Sequence, residues 1–209
     1  MPSGSPYFTF AATMSEGGTG SGHSAYVNAH DASGNAISVG IQVDQTDPHS
    51  QGNPWYVWER VQNGAFSYGY IAPAAAGNVP VALSWWGSNV AVFFVNGSPT
   101  AQVPLALTPR VFFSIEGDAR QNGDSVSDTF TDAQINVGNQ CPAYCGLNGT
   151  WNTSSFNSYG LTAQDTNGAQ QNGADFTVKG TVSGLPPGGN WDNHVVAGIA
   201  MIAQYWNGA

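Results

Sequence analysis

The residues of this sequence that could carry out acid–base chemistry lie on two apolar runs, Ile37–Val43 and Val111–Gly117. Each run has polar side chains at alternate positions, so one face of a strand could line a groove. Gln42 lies on the first run and Glu116 on the second. A carboxylic acid in an aromatic cleft can act as a general acid. Glu116 is therefore a candidate general acid.

A pair of carboxylates is a second source of chemistry, and the chain has three Glu residues, Glu16, Glu59 and Glu116. Glycoside hydrolases place two carboxylates around the bond that they cleave, and Glu59 and Glu116 both lie in strand-like runs. The structural alternative is an ion pair with an arginine, because a buried carboxylate is costly unless it is paired. The arginines concerned are Arg60, Arg110 and Arg120.

The segment Asp44–His49 has the composition of a cation-binding loop. Asp44 and Asp47 would supply carboxylate oxygens, which suit Ca²⁺. The alternative is a turn in which Asp side chains accept hydrogen bonds from the loop backbone, with no cofactor at all. Farther along the chain, Cys141 and Cys145 are close enough in sequence to form a disulfide across a tight turn. We predict a structural disulfide there, not a redox site.

Aromatic residues give the strongest indication of binding, since seven Trp and eight Tyr exceed what a β core of this size needs. An aromatic ring can stack on the apolar face of a sugar while nearby amides and carboxylates bond its hydroxyl groups. The alternative is that most of these rings are buried. The predicted ligand-binding residues are Trp55, Trp86, Tyr68, Tyr70, Arg60, Gln42 and Glu116.

The elements that must position these side chains are short apolar runs between turn signals, a pattern typical of all-β proteins. Asn63-Gly64 predicts a type I′ hairpin turn, and Asn96-Gly97 and Gly87-Ser88 are further turn signals. The predicted strands are Tyr7–Met14, His23–Ala29, Ala36–Val43, Trp55–Val61, Phe66–Ile71, Val79–Trp86, Asn89–Val95, Val111–Ile115, Val126–Phe130, Phe176–Val182 and Val195–Trp206. We predict one antiparallel β-sandwich domain over residues 1–209, with 139–175 a loop-rich excursion and 176–209 returning strands.

Composition narrows the classes of partner. The 209 residues include only 8% charged residues, and the net charge is −9. Nucleic acid and anionic membranes are therefore not expected as partners, since both require clusters of Lys and Arg. Low charge, an acidic balance and two cysteines are typical of secreted, extracellular proteins, and we predict that localisation.

Residues 23–130 resemble the concanavalin-A-like and laminin-G-like jelly rolls. The resemblance rests on His30–Asn35 before Ile37–Val43, on Leu83–Trp86 leading into Phe93–Gly97, on Val111–Gly117, and on Asp124-Ser125-Val126. These motifs are individually loose and cover about half of the chain. The resemblance implies two antiparallel sheets, one of them concave, whose concave face or loops are available to glycans or peptides.

A narrower resemblance is to the glutamic peptidases of the fungal acid and neprosin types, which have the same sandwich. In that family a Gln or Glu precedes a strand glycine by two residues, and a second Glu follows an apolar run. Gly40 resembles that glycine and Glu116 the second acid, whereas Ser38 stands where the family has Gln or Glu. Gln42 shares the strand face of Ser38 and is the substitute that the alternation offers.

Three functions follow from these observations. The first is a secreted protein that binds an oligosaccharide or polysaccharide through an aromatic and amide-lined concave face. The second is an assembly protein, a homo-oligomer formed through sheet edges, because unpaired strand edges can pair with another copy. The third is an acid peptidase that uses Glu116 with Gln42.

Overall fold

A computed structural model describes residues 6–86, 89–108, 111–119, 123–136, 174–181 and 195–201. All regular secondary structure in these ranges is β. The strands are β1 (Phe8–Ser15), β2 (Gly18–Thr19), β3 (Gly22–Asp31), β4 (Ala36–Asp44), β5 (Trp55–Gln62), β6 (Ala65–Pro73), β7 (Val79–Trp86), β8 (Val90–Val95), β9 (Ser98–Pro104), β10 (Val111–Ala119), β11 (Ser125–Asn136), β12 (Ala174–Thr181) and β13 (Val195–Met201).

The strands form two antiparallel sheets. Sheet A has the order β12-β11-β1-β7-β8-β9, with the short β2 also paired to β11. Sheet B has the order β13-β10-β3-β4-β5-β6. The two sheets pack face to face, which confirms the predicted all-β antiparallel sandwich.

Each of the eleven predicted strands is present, with ends that differ by a few residues. The largest differences are at β11, which continues to Asn136, and at Val195–Trp206, where β13 ends at Met201 and the residues after it lie outside the described ranges. The sequence reasoning missed β2 and β9. Strand β9 contains Pro99 and Pro104 and lies at the edge of sheet A, where a residue without an N–H is tolerated.

Two hairpin turns have the backbone that their Asn-Gly pairs predict. Asn63 and Gly64 have φ of 53° and 76°, and Asn96 and Gly97 have φ of 52° and 73°. Positive φ at both central positions is the mark of the type I′ turn, whose twist matches that of the flanking strands. The predicted Gly87-Ser88 turn lies outside the described residues.

The core is made by the alternate residues of each strand that point between the sheets. On β4 these are Ile37, Val39 and Ile41, all of them buried. Aromatic rings join the two sheets across this interior: Trp58 of sheet B stacks on Phe93 of sheet A, with ring centroids 5.8 Å apart. Such burial is the main stabilising term of the fold.

The last described strands each extend one sheet. Strand β12 pairs with β11 in sheet A, and β13 pairs with β10 in sheet B. Most of the predicted excursion over residues 139–175 lies outside the described residues. Cys141 and Cys145, and the disulfide predicted between them, also lie outside them.

Candidate functional site

The outer face of sheet B is polar although much of it is buried. Because side chains alternate along a strand, residues between the core positions of β4 point away from the core. These are Ala36, Ser38, Gly40, Gln42 and Asp44, and Gln42 is only 1% exposed. The predicted placement of Ser38 and Gln42 on one face is therefore correct.

Strand register arranges these outward residues in rows across the sheet. One row contains Ser114, Asn28, Ser38, Glu59 and Tyr68, from β10 across to β6. A neighbouring row contains Glu116, Tyr26, Gly40, Val57 and Tyr70. Residues that are far apart in sequence thus share one surface.

Glu116 is held by a polar network that consists of Ser38, Asn28, Ser114 and Glu116. The Asn28 amide donates to a Glu116 carboxylate oxygen over 2.8 Å and to the Ser114 hydroxyl over 3.2 Å. The Ser114 hydroxyl also donates to Glu116, and the Ser38 hydroxyl donates to the Asn28 carbonyl oxygen over 3.1 Å. These bonds fix the rotamers of side chains on three strands.

A second group, the Tyr26 cluster, consists of Tyr26, Gln42 and Glu59. The Tyr26 hydroxyl lies 3.1 Å from Gln42 Oε1 and 3.0 Å from Glu59 Oε1. The ring can cross strand β4 because Gly40 has no side chain: a Cβ there would lie 2.7 Å from the Tyr26 ring and 1.8 Å from the Ala25 carbonyl oxygen.

The two contacts of the Tyr26 hydroxyl, with Gln42 and with Glu59, need two hydrogen-bond protons between them. A phenol has one proton and can direct it fully at only one of the two oxygens. The second contact gains a donor if the Gln42 amide is turned so that its NH₂ group faces the phenol. In the orientation present, the buried Gln42 Nε2 has no hydrogen-bond partner among the described residues. A buried polar atom of this kind requires an explanation such as water or a ligand.

Beside these polar groups runs an aromatic strip that consists of Phe66, Tyr68, Tyr70, His49 and Trp55. Successive ring centroids are 5.9 Å apart from Phe66 to Tyr68, 5.8 Å from Tyr68 to Tyr70, 4.1 Å from Tyr70 to His49 and 4.3 Å from His49 to Trp55. Phe66 is 55% exposed and Tyr68 is 43% exposed, whereas Tyr70 and Trp55 are half-buried. Its first three members lie on β6, which is at one edge of sheet B as far as the described strands go.

Residues 45–54 form the β4–β5 loop, which carries His49. The backbone N–H groups of His49 and Ser50 donate to Asp47 Oδ1 over 2.6 and 3.1 Å. The N–H of Thr46 donates to Asp44 Oδ1 over 2.8 Å. Burial raises the pKa of Asp47, but the Tyr70 phenol and the two backbone donors together hold that pKa below its ordinary value. Burial and the Asp47 carboxylate raise the pKa of Tyr70.

The carboxylates of this loop act as acceptors for the loop backbone, which is the structural alternative to a Ca²⁺ site. Within the described ranges, no group of three or more His, Cys, Asp or Glu residues is placed to hold a metal ion. Metal binding by Asp44 and Asp47 stays a prediction.

The predicted ligand-binding residues divide into two groups. Trp55, Tyr68, Tyr70, Gln42 and Glu116 all lie on the outer face of sheet B. Trp86 and Arg60 lie elsewhere.

Trp86 is on β7 of sheet A and is 7% exposed. Arg60 lies on the core side of β5, where its Nη1 donates to the Pro104 carbonyl oxygen over 3.0 Å. The described contacts join Glu116 to Asn28 and Ser114, and Gln42 to Tyr26.

Sequence reasoning missed Asn28, Tyr26 and His49 as members of the site. Tyr26 and Asn28 alternate with Ala25, Val27 and Ala29, so the period of β3 did carry the signal that they point outward. His49 lies in a loop, where side chains do not alternate between two faces, so no periodic pattern indicated that its ring would join the strip.

A separate buried group of charges lies near the start of β3. His23 pairs with Glu16, and the Gly17 N–H donates to Asp128 Oδ1 over 3.1 Å. Asp128 is fully buried on the core side of β11. Burial raises the pKa of Asp128 well above its ordinary value, and the nearby Glu16 and Asp118 carboxylates add to this effect.

No model of a known protein family matches the chain, and no curated protein sequence matches it. In the described part of the chain, no helix has the length and apolar character needed to span a membrane.

Proposed function

We propose that this protein is a secreted carbohydrate-binding protein whose site is the outer face of sheet B, with a neutral oligosaccharide or polysaccharide as its ligand. The observation that carries the proposal is the exposed aromatic strip beside a fixed set of hydrogen-bonding side chains. Sugars present apolar C–H faces and hydroxyl edges, so their recognition combines both kinds of group.

The location of exposed rings supports this proposal. Among the described residues, the large hydrophobic side chains with high exposure are Tyr7, Phe66 and Tyr68. Two of these three are neighbours on the same face of β6. The two adjacent rings form a contiguous exposed apolar patch, a feature that is typical of binding surfaces.

The polar side chains next to the strip support the same proposal. Glu59 lies directly across from Tyr68 in the strand register, and Ser38 and Asn28 continue the row. Glu59 and Asn28 are half-buried and held by hydrogen bonds, so they lose little side-chain entropy when they bind hydroxyl groups, while the buried Ser38 supports Asn28. The scarcity of Lys and Arg favours a neutral glycan over an acidic one.

The test is a neutral-glycan array followed by titration calorimetry on the glycans that bind. We expect Tyr68→Ala to weaken affinity about tenfold, which corresponds to ~1.4 kcal/mol. The matched control is Tyr7→Ala, because Tyr7 has similar exposure and precedes β1 on the other sheet. If no glycan binds at high protein concentration, or if both variants weaken binding equally, the proposal is wrong.

An acid hydrolase is the second candidate, and a specific contact favours it. The Asn28 carboxamide is 2.8 Å from Glu116, so an acid and an amide stand side by side on the outer face. An amide donor beside a reacting carboxylate can stabilise developing charge. The test is cleavage of casein across acidic pH: Glu116→Gln should abolish it, and the absence of cleavage by the unaltered protein would remove this candidate.

A further inference from the structure

We propose that the ligand of this site is a linear glycan that lies along β6 and contacts the whole aromatic strip, with His49 as the ring that binds its far end. This inference rests on the proposed function and specifies its ligand class and one further binding residue. A linear chain differs here from a single terminal sugar, which would need only one ring and its polar neighbours.

The first support is the length of the strip. Phe66, Tyr68 and Tyr70 occupy alternate positions on one strand, so the Cα atoms of Phe66 and Tyr70 are about 13 Å apart along β6, while successive ring centroids are 5.9 and 5.8 Å apart. His49 and Trp55 continue the strip at the end where β5 begins, with ring contacts throughout. A ligand that covers these rings is longer than a disaccharide and runs parallel to the strand.

The second support is the position of His49. Its ring stacks on Tyr70 at an interplanar angle of 24° and also contacts Trp55. His49 is exposed, whereas Tyr70 and Trp55 are half-buried. At this end of the strip, therefore, His49 is the most exposed ring, and it packs against two larger rings that are only partly exposed.

The third support is the rigidity of the β4–β5 loop. Asp47 accepts hydrogen bonds from the His49 and Ser50 N–H groups, and the Ser50 hydroxyl donates to the Asp44 carbonyl oxygen over 2.7 Å. The Gly52 N–H bonds the same carbonyl oxygen over 2.9 Å. A loop held by its own backbone keeps His49 in one place, which makes the ring a fixed part of the surface.

The experiment compares glycans of different length. Titration calorimetry is carried out with cellohexaose, xylohexaose, N-acetylchitohexaose and maltohexaose, and with the disaccharide of each. For the series that binds, we expect the hexasaccharide to bind at least about tenfold more tightly than the disaccharide. Equal affinity of the two lengths would overturn the inference and leave the proposed function standing, whereas no binding of any glycan would overturn the function itself.

Two variants test the ends of the strip. We expect His49→Ala and Phe66→Ala each to weaken hexasaccharide binding several-fold, and the double variant to show the product of both effects, because the sites are too far apart to couple. Tyr7→Ala is the control. The backbone N–H of residue 49 still bonds Asp47 in His49→Ala, so the loop should keep its conformation. Unchanged or tighter binding in His49→Ala would show that this ring covers the site instead of forming it.

Discussion

The phenol oxygen of Tyr26 lies 3.0 Å from a carboxylate oxygen of Glu59, although these residues belong to β3 and β5 and strand β4 runs between them. The contact spans a strand because the Tyr26 ring passes over Gly40. One residue without a side chain thus lets an aromatic ring connect two otherwise separate parts of the polar face.

Tyr26→Phe should destabilise the protein by about 1–3 kcal/mol, since it removes the hydroxyl that contacts Gln42 and Glu59 while both remain in place. The measurement is the free energy of unfolding from urea denaturation. Tyr7→Phe is the control, because Tyr7 is 46% exposed and substitutions at exposed positions usually change that free energy by less than ~0.5 kcal/mol. Equal effects of the two substitutions would contradict the importance of the Tyr26 contacts.

Gly40→Ala should prevent folding or lower the free energy of unfolding by more than ~4 kcal/mol, because the added Cβ would lie 1.8 Å from a backbone oxygen. A comparison with Gly34→Ala separates steric overlap from backbone strain. Gly34 has φ of 81° with nothing near its Cβ position, so only the left-handed conformation is penalised there, by about 1–2 kcal/mol. A folded Gly40→Ala protein of near-normal stability would refute the close approach of β3 and β4.

Asp128→Asn should stabilise the protein at neutral pH. The raised pKa of Asp128 means that the folded state binds this proton more tightly than the unfolded chain does. Its contribution to stability is therefore fully present below the ordinary carboxyl pKa and is lost as pH rises through the raised value. The amide stays neutral and can still accept from Gly17, so urea denaturation should show a smaller loss of stability with rising pH.

Asp31→Asn is a control for which we expect the opposite pH dependence of stability, because its pKa is shifted in the other direction. Burial raises the pKa of Asp31, but donors on Asn35 and Thr108 outweigh it, and the net pKa is lowered. The stability from Asp31 is thus present above the ordinary carboxyl pKa and is lost as pH falls through the lowered value. Asp31→Asn should destabilise the protein near pH 7 and have less effect in acid. If both substitutions changed the pH dependence in the same direction, this account of Asp128 would be wrong.

Much of the fold could be predicted from sequence because strand periodicity and turn chemistry are local signals. Asn63-Gly64 sets its turn through the φ values of two residues, and Ile37–Val43 reveals its buried face through alternation alone. Strand β9 escaped prediction because its prolines are tolerated only at a sheet edge, and a sequence does not show which strands are edges.

The candidate site could be predicted only in part, for a related reason. Alternation shows that Gln42 and Glu116 point away from the core, but it does not show which strands are neighbours. Strand β3 lies between β4 and β10, so its own residues Tyr26 and Asn28 meet Gln42 and Glu116 first. Pairing between β3 and β10 joins residues at least eighty positions apart, and no local pattern specifies it.

The pairing of β12 with β11 and of β13 with β10 has a consequence for how the chain acquires its structure. Until residues 174–201 have emerged from the ribosome, β10 and β11 each present a bare row of N–H and C=O groups. Such long-range pairings form slowly, and a growing chain is exposed to wrong partners in the meantime. Neither sheet can therefore complete its strand order until residues 174–201 have been synthesised.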